Sequence, residues 1–239
     1  MLLLDLTLPT LAENLALDEA LLLAAESAEQ PTEVLRLWQP RERFVVVGRS
    51  SRVADEVELP ECRRRRTPVL RRCSGGGAVV AGPGCLMYAL TLSLRRRPRL
   101  QMIDQAHRFV LQTTAALLRN DLPGVKPAGT SDLALGDRKF SGNSLRVKRD
   151  HLLYHGTLLF DFPLACAAAL LKHPPREPGY RQGRSHKEFL TNVPLTESQL
   201  RAALVAAWSA EVPLDPWPRE LVARLVAEKY ARQAWNFRR

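Results

Sequence analysis

The chain has 239 residues, 46% hydrophobic and 25% charged, with a formal net charge of +10 at pH 7. These proportions suit one large folded domain, with or without a small appendage, and exclude wholesale disorder. The basic excess, seen in the runs Arg63 to Arg66 and Arg95 to Arg97, favours anionic partners; without interleaved aromatics or a nucleic-acid motif, nucleic acid is not the expected one. The four cysteines form no C-x-x-C pair, which argues against a zinc ribbon or a thioredoxin-like centre. Met1 to Leu6 is apolar but short, is broken by Asp5 and lacks a basic leader, so it does not read as a signal peptide. No apolar run approaches the roughly 18 residues of a membrane span. A cytoplasmic monomer is the expectation.

In chain order, Glu13 to Ala25 reads as a helix with one buried face, its leucines interleaved with acids. Val34 to Trp38 and Phe44 to Val47 read as short strands. Leu86 to Leu94 reads as a buried strand and Met102 to Leu118 as a helix. Asp121 to Thr130, with two prolines and two glycines, reads as a loop. Ser131 to Leu135, Lys139 to Ser144 and Leu152 to Phe160 read as successive strands, and Ala165 to Leu171 as a short helix. His173 to Arg184 holds three prolines and two glycines and reads as a connector or a functional flap. A helix from Thr196 to Ser209 and a second from Pro218 to Gln233 close the chain. The mixed order of strands and helices implies an α+β fold, and no P-loop or dinucleotide fingerprint is present.

Three separated segments carry candidate chemistry. Arg71 to Val79 joins two arginines to Cys73, Ser74, Gly75, Gly76, Gly77 and Ala78. Consecutive glycines let a backbone approach a ligand and offer N–H groups, and adjacent arginines suit a phosphate or carboxylate; a flexible turn would have the same composition. Asp132-Leu133 is followed by Gly136 to Ser144, where Lys139 is flanked by Arg138, Phe140, Ser141, Gly142 and Asn143. On a regular strand Lys139, Ser141 and Asn143 share one face and could meet one ligand. In Tyr154-His155-Gly156-Thr157, the glycine after His155 suggests a close approach inside an apolar strand.

Jointly, and in this order, the segments resemble the lipoate–protein ligase family of the biotin/lipoate ligase superfamily. Asn14 to Glu19 and Leu35 to Trp38 are similar to it as well, so the resemblance covers about residues 10 to 195. It implies a class II biotin/lipoate-ligase-like catalytic domain with mixed β-sheets flanked by helices. The whole of 1–239 is then one domain, with C-terminal helices over 196–239 and no accessory domain of the kind larger bacterial ligases carry. The implied reaction forms lipoyl-AMP from lipoate and ATP, with Mg2+ accompanying ATP, then acylates a lysine of a lipoyl carrier. That carrier is an H protein, a dehydrogenase acyltransferase subunit or a specialised lipoyl carrier, and a separate protein could supply the accessory domain. By resemblance Lys139 is catalytic. Arg72, Ser74, Gly75, Gly76, Gly77, Ala78, Asp132, Arg138, Ser141, Gly142, His155, Gly156 and Thr157 would bind the acyl adenylate, with Asp132 also the candidate metal ligand. The chain departs from the family where Val80 to Cys85 replaces a histidine–aspartate pair and an asparagine, and where Ser131 replaces an asparagine. Three other readings remain: an octanoyltransferase with a cysteine nucleophile, with Cys73 beside the glycine loop; a carrier-binding or nucleic-acid-binding module without activity; and a basic scaffold protein.

Overall fold

The computed structural model describes residues 1–238. Among the described residues eleven strands form two sheets: β1 Leu2–Asp5, β2 Val34–Trp38, β3 Phe44–Val47, β4 Val69–Arg71, β5 Val79–Ala81, β6 Cys85–Ser93, β7 Val125–Ala128, β8 Asp132–Leu135, β9 Arg138–Val147, β10 His151–Leu159 and β11 Val212–Pro213. The large sheet runs β11-β1-β2-β6-β10-β9-β8-β7, and the small one β4-β3-β5. β1 pairs in parallel with β2 and β11, whereas β2, β6, β10, β9, β8 and β7 pair antiparallel in turn. The helices are α1 Leu11–Ser27, α2 Val53–Glu56, α3 Leu59–Arg64, α4 Ile103–Leu118, α5 Ala165–Leu170, α6 His186–Phe189, α7 Glu197–Trp208, α8 Arg219–Leu225 and α9 Gln233–Asn236. The architecture is the α+β one expected.

Side-chain alternation divides the core between the two faces of the large sheet. Leu86, Tyr88, Leu90 and Leu92 of β6, with Leu152, Tyr154 and Leu158 of β10, pack beneath α4 and α7. Cys85, Met87 and Leu159 point the other way, into a core shared with α1, α5 and the small sheet. The site lies on this second side. Helix starts follow side-chain chemistry. Thr10 caps α1 by accepting from the Glu13 N–H while Glu13 accepts from the Thr10 N–H, and Thr196 and Gln199 repeat the arrangement at α7.

Several expectations change. α1 is not exposed along its acids: Asp18 and Glu19 are buried with its leucines, each against cationic side chains. β7 lies inside the predicted loop, because Val125 to Ala128 finds a partner in β8. The apolar start Met1 to Leu6, given no element from the sequence, supplies β1. The second terminal helix is broken: α8 ends at Leu225, a π-helical turn spans Val226–Tyr230, and α9 comes after it.

Candidate active site

Lys139 enters from β9 after the tight turn at Gly136, whose φ is +64°. The β8–β9 ladder then slips: Ala134 pairs with Lys139, but Leu133 pairs with Ser141. Phe140 is thus an extra residue, a β-bulge that re-aims the rest of the strand. Lys139 faces the same side as Asp132, its Nζ 2.8 Å from Asp132 Oδ1. Ser141 and Asn143 fall on the other face, correcting the shared face that regular alternation predicted. There Asn143 Oδ1 accepts from the Tyr88 hydroxyl at 2.5 Å, while Nδ2 donates to Ser131 O at 2.8 Å and Ser141 Oγ at 3.1 Å. Burial pushes the Tyr88 phenol well above its ordinary range, which keeps it a donor.

Two glycines make room for this arrangement. A Cβ on Gly142 would sit 2.7 Å from Lys139 Nζ, and one on Gly156 only 1.8 Å from Asn143 Oδ1. His155 and Thr157 alternate with Gly156 on β10 and face the site.

The proline-rich segment lies over the lysine. The Tyr180 hydroxyl donates to Asp132 Oδ2 at 2.8 Å, and burial, reinforced by the Asp132 charge, pushes that phenol upward. Both oxygens of Asp132 are therefore engaged. Arg184 donates to Asp137 Oδ2 at 2.8 Å. Arg181 is buried, its guanidinium 4.9 Å from the Phe189 ring centre. The segment after it is pinned to β9: Thr191 N donates to Lys139 O at 2.9 Å, and Arg138 to Leu190 O at 2.5 Å. Arg138 thus holds the flap's base and turns away from the cavity.

The glycine loop is folded around Arg72. Its Nε donates to Ser74 Oγ at 3.1 Å, Nη1 to Val46 O at 3.2 Å, and Nη2 to Gly75 O at 2.5 Å and Gly77 O at 2.9 Å. Burial brings its pKa down to about 10, so it remains a cation at neutral pH. The sequence suggested a phosphate or carboxylate partner for Arg72; the structure directs its guanidinium to Ser74 Oγ and the carbonyls of Val46, Gly75 and Gly77. Ser144 Oγ reaches Gly75 O at 2.8 Å, Ser51 Oγ reaches Gly76 O at 3.1 Å, and Glu56 accepts from the Ala78 N–H. Among the described residues, no backbone carbonyl accepts from the N–H groups of Gly75, Gly76 or Gly77, which leaves them available to an anion.

Between loop, sheet and flap lies a cavity of about 420 Å³. Leu15, Val46, Val80, Met87 and Phe162 give it an apolar wall, and Asp132 and Lys139 a polar one. Of the residues singled out from sequence, Arg72, Gly76, Gly77, Ala78, Asp132, Lys139, Ser141, Gly142, His155, Gly156 and Thr157 line it; Ser74, Gly75 and Arg138 stand behind. Asn143, singled out as well, also lines it. Glu56 and Tyr180 were missed, and Asp18 stood out only as part of the Asn14 to Glu19 similarity.

The donor set does not fit a resident metal. No cluster of three His, Cys, Asp or Glu occurs among the described residues, and Asp132 is taken up by Lys139 and Tyr180. None of the four cysteines lines the cavity, and all are buried. Burial pushes the Cys73 thiol up to about 11 and the Cys85 thiol up to about 12.

A half-open, largely apolar cavity bounded by a lysine, a glycine loop and a flap suits a small molecule with an apolar tail and an anionic head. The chain belongs to the family described as the lipoyl protein ligase A/B catalytic domain, whose model matches residues 10–203. Among its relatives is Probable lipoate-protein ligase A of Mycoplasma pneumoniae, 27% identical over 94% of this chain and 67% of that protein. Octanoyltransferase LipM of Geobacillus kaustophilus is 24% identical over 95% of this chain and 94% of its own length. The chain spans 42% and 52% of two further lipoate-protein ligase A relatives. In fold it is similar to the structure described as a bi-partite lipoate protein ligase and its E2 lipoyl domain from Thermoplasma acidophilum, with TM-score 0.82, 22% identity and coverage of 99% of this chain and 95% of that one. A lipoate-protein ligase A bound with ATP gives TM-score 0.80 and 22% identity, with 99% of this chain and 98% of that one covered. No helix among the described residues is long and apolar enough to cross a membrane.

Proposed function

We propose that this protein is an ATP-dependent lipoate or octanoate ligase acting on a lipoyl carrier protein. The observation that carries the reading is Lys139. Its ammonium is oriented by Asp132 where the apolar cavity meets the glycine loop and the flap. An acyl chain lies along the apolar wall and brings its carboxylate to Lys139. A carboxylate oxygen attacks the α-phosphorus of ATP, an O–P bond forms, the bond to pyrophosphate breaks, and acyl-AMP results. Negative charge develops on the carboxyl and phosphoryl oxygens, and a fixed ammonium with free glycine N–H groups stabilises it. The carrier's lysine amine then attacks the acyl carbon, loses a proton to solvent and expels AMP.

The side-chain set does not fit a protein-held magnesium, so no step runs through one and Asp132 acts as the lysine's partner. The flap, with Tyr180 on Asp132, covers the adenylate and limits its hydrolysis. The +10 charge suits an acidic carrier domain, which complementary charge would steer. The relative described as bi-partite makes a separate accessory protein a reasonable second partner, and we place the chain in the cytoplasm as a monomer.

The LipM relative favours a second reading, octanoyl transfer through a cysteine thioester. A nucleophilic cysteine needs access and a lowered pKa. Cys73 and Cys85 have neither. Lipoate-dependent exchange of labelled pyrophosphate into ATP tests the proposal. Exchange supports it. No exchange, with a stable octanoyl adduct on a cysteine after exposure to octanoyl carrier protein, replaces it with the second reading.

A further inference from the structure

Asp18 on α1 and Arg36 on β2 are 2% and 0% exposed, and the chemistry above uses neither. Arg36 Nη1 donates to Asp18 Oδ1 at 2.5 Å and to Asn14 O at 2.6 Å. The other Asp18 oxygen, Oδ2, lies 3.0 Å from His155 Nδ1, and His155 Nε2 lies 2.5 Å from Ser74 Oγ. Ser74 Oγ in turn accepts from Arg72 Nε, whose Nη2 holds the carbonyls of Gly75 and Gly77. A carboxylate only accepts, so the contact with Asp18 requires a proton on His155 Nδ1. In the neutral imidazole Nε2 is then bare and receives the Ser74 hydroxyl proton.

We propose that Asp18, anchored by Arg36, is a positioning residue for the glycine loop. It sets the His155 tautomer, and through Ser74 and Arg72 keeps the Gly75 carbonyl turned inward. In a planar trans peptide the Gly76 N–H then points the opposite way, away from Arg72, where Gly76 forms cavity wall. The order Ser74–His155–Asp18 is that of a nucleophilic triad. However, Ser74 is 1% exposed, stands behind the cavity wall, and has Arg72 donating to its oxygen. The arrangement holds a loop in place and does not present a nucleophile. The functional part of this proposal rests on the ligase reading of the cavity; the hydrogen-bond directions do not.

Asp18→Asn separates the two. Arg36 still demands an acceptor, so the new amide turns its oxygen to Arg36 and its N–H to His155 Nδ1. The imidazole proton moves to Nε2, and Ser74 must redirect its own. The experiment is nitrogen-15 NMR of labelled histidines in the parent and Asp18→Asn, without substrate. Beside it run lipoyl-AMP formation rates well below each protein's melting temperature. Expected are an Nδ1–H tautomer in the parent, an Nε2–H tautomer in the variant, and kcat/KM for lipoate lowered roughly ten- to hundredfold, as for loss of one charge-assisted hydrogen bond. An Nε2–H parent, or an unchanged tautomer in Asp18→Asn, overturns the wiring. A switched tautomer with unchanged kcat/KM overturns the positioning role. A parent that makes no adenylate refutes the ligase reading, and the NMR alone then judges the wiring. Should Asp18→Asn not fold, Ser74→Ala cuts the same chain one step on. It should keep Nδ1–H on His155 yet raise the KM for lipoate, and an unaltered KM there overturns the proposal.

Discussion

Replacing Gly156 with alanine forces a methyl group into the space occupied by Asn143. The added carbon would lie 1.8 Å from Asn143 Oδ1, 2.7 Å from its Cγ and 3.0 Å from the Gly142 carbonyl oxygen. The carbonyl belongs to the sheet and cannot swing aside, so the Asn143 side chain must leave. Its departure breaks the hydrogen bonds to Tyr88, Ser131 and Ser141 and strands a buried phenol. Three hydrogen bonds at about 1 kcal/mol each, with an overpacking cost of about 1 kcal/mol or more, give a loss near 4 kcal/mol. For a domain of this size that lowers the melting temperature by about 8–16 °C. Thermal and urea unfolding followed by circular dichroism would measure it. The double variant Gly156→Ala, Asn143→Ala should cost less than the sum of the two single changes, because the clash is gone. A Gly156→Ala protein within about 1 kcal/mol of the parent would mean that Asn143 is not held by Tyr88, Ser131 and Ser141 in this way.

Three further outcomes rest on the same geometry. Gly142→Ala meets only the mobile end of Lys139, so its melting temperature should stay close to the parent's, while lipoyl-AMP formation falls about tenfold or more as the ammonium is pushed off Asp132; parallel melting and adenylation assays would separate the effects. Burial alone would raise the Glu19 pKa, but hydrogen bonds from Lys229 and Tyr230 and the charges of Lys229 and Arg146 outweigh it and hold the folded value below 4.5. Its contribution is therefore complete above about pH 4.5 and is lost as pH falls through the lower folded value, so in acid titrations Glu19→Gln should flatten the stability curve in that window. Buried thiols at elevated pKa predict that native protein at pH 8 resists iodoacetamide at Cys73 and Cys85, and that Cys73→Ala retains adenylation; modification of Cys73 faster than global unfolding would contradict the packing.

Much of the fold was legible because its signals are local. Leucine spacing marks α1, Thr196 with Glu197 marks the start of α7, and unbroken apolar runs mark β6 and β10. What escaped depends on partners distant in the chain. Val125 to Ala128 carries loop composition and becomes a strand only because β8 lies beside it, and β1 needs both β2 and β11. The terminal helix gives way at Val226–Tyr230, where Lys229 and Tyr230 turn to bond Glu19. In the site, the glycine loop, Lys139 and His155 were found from their neighbours in sequence, and the cavity brings them together. Their working directions were not legible. One extra residue at Phe140 reverses where Ser141 and Asn143 point, and Arg72 is held by a hydroxyl and carbonyls that no motif announces. Asp18 was hidden for the same reason: an acid in an apolar helix shows its purpose only when Arg36 and His155 arrive from other strands.

The most direct test of Lys139's role is lipoyl-AMP formation by the parent and by Lys139→Ala, quantified by mass spectrometry after incubation with lipoate, ATP and magnesium, with lipoate binding measured by calorimetry on both. Adenylate is expected in the parent and a loss of about a hundredfold or more in the variant, the scale of removing one preorganised charge-stabilising group, while lipoate still binds. Adenylate formed by Lys139→Ala at the parent's rate would contradict that role.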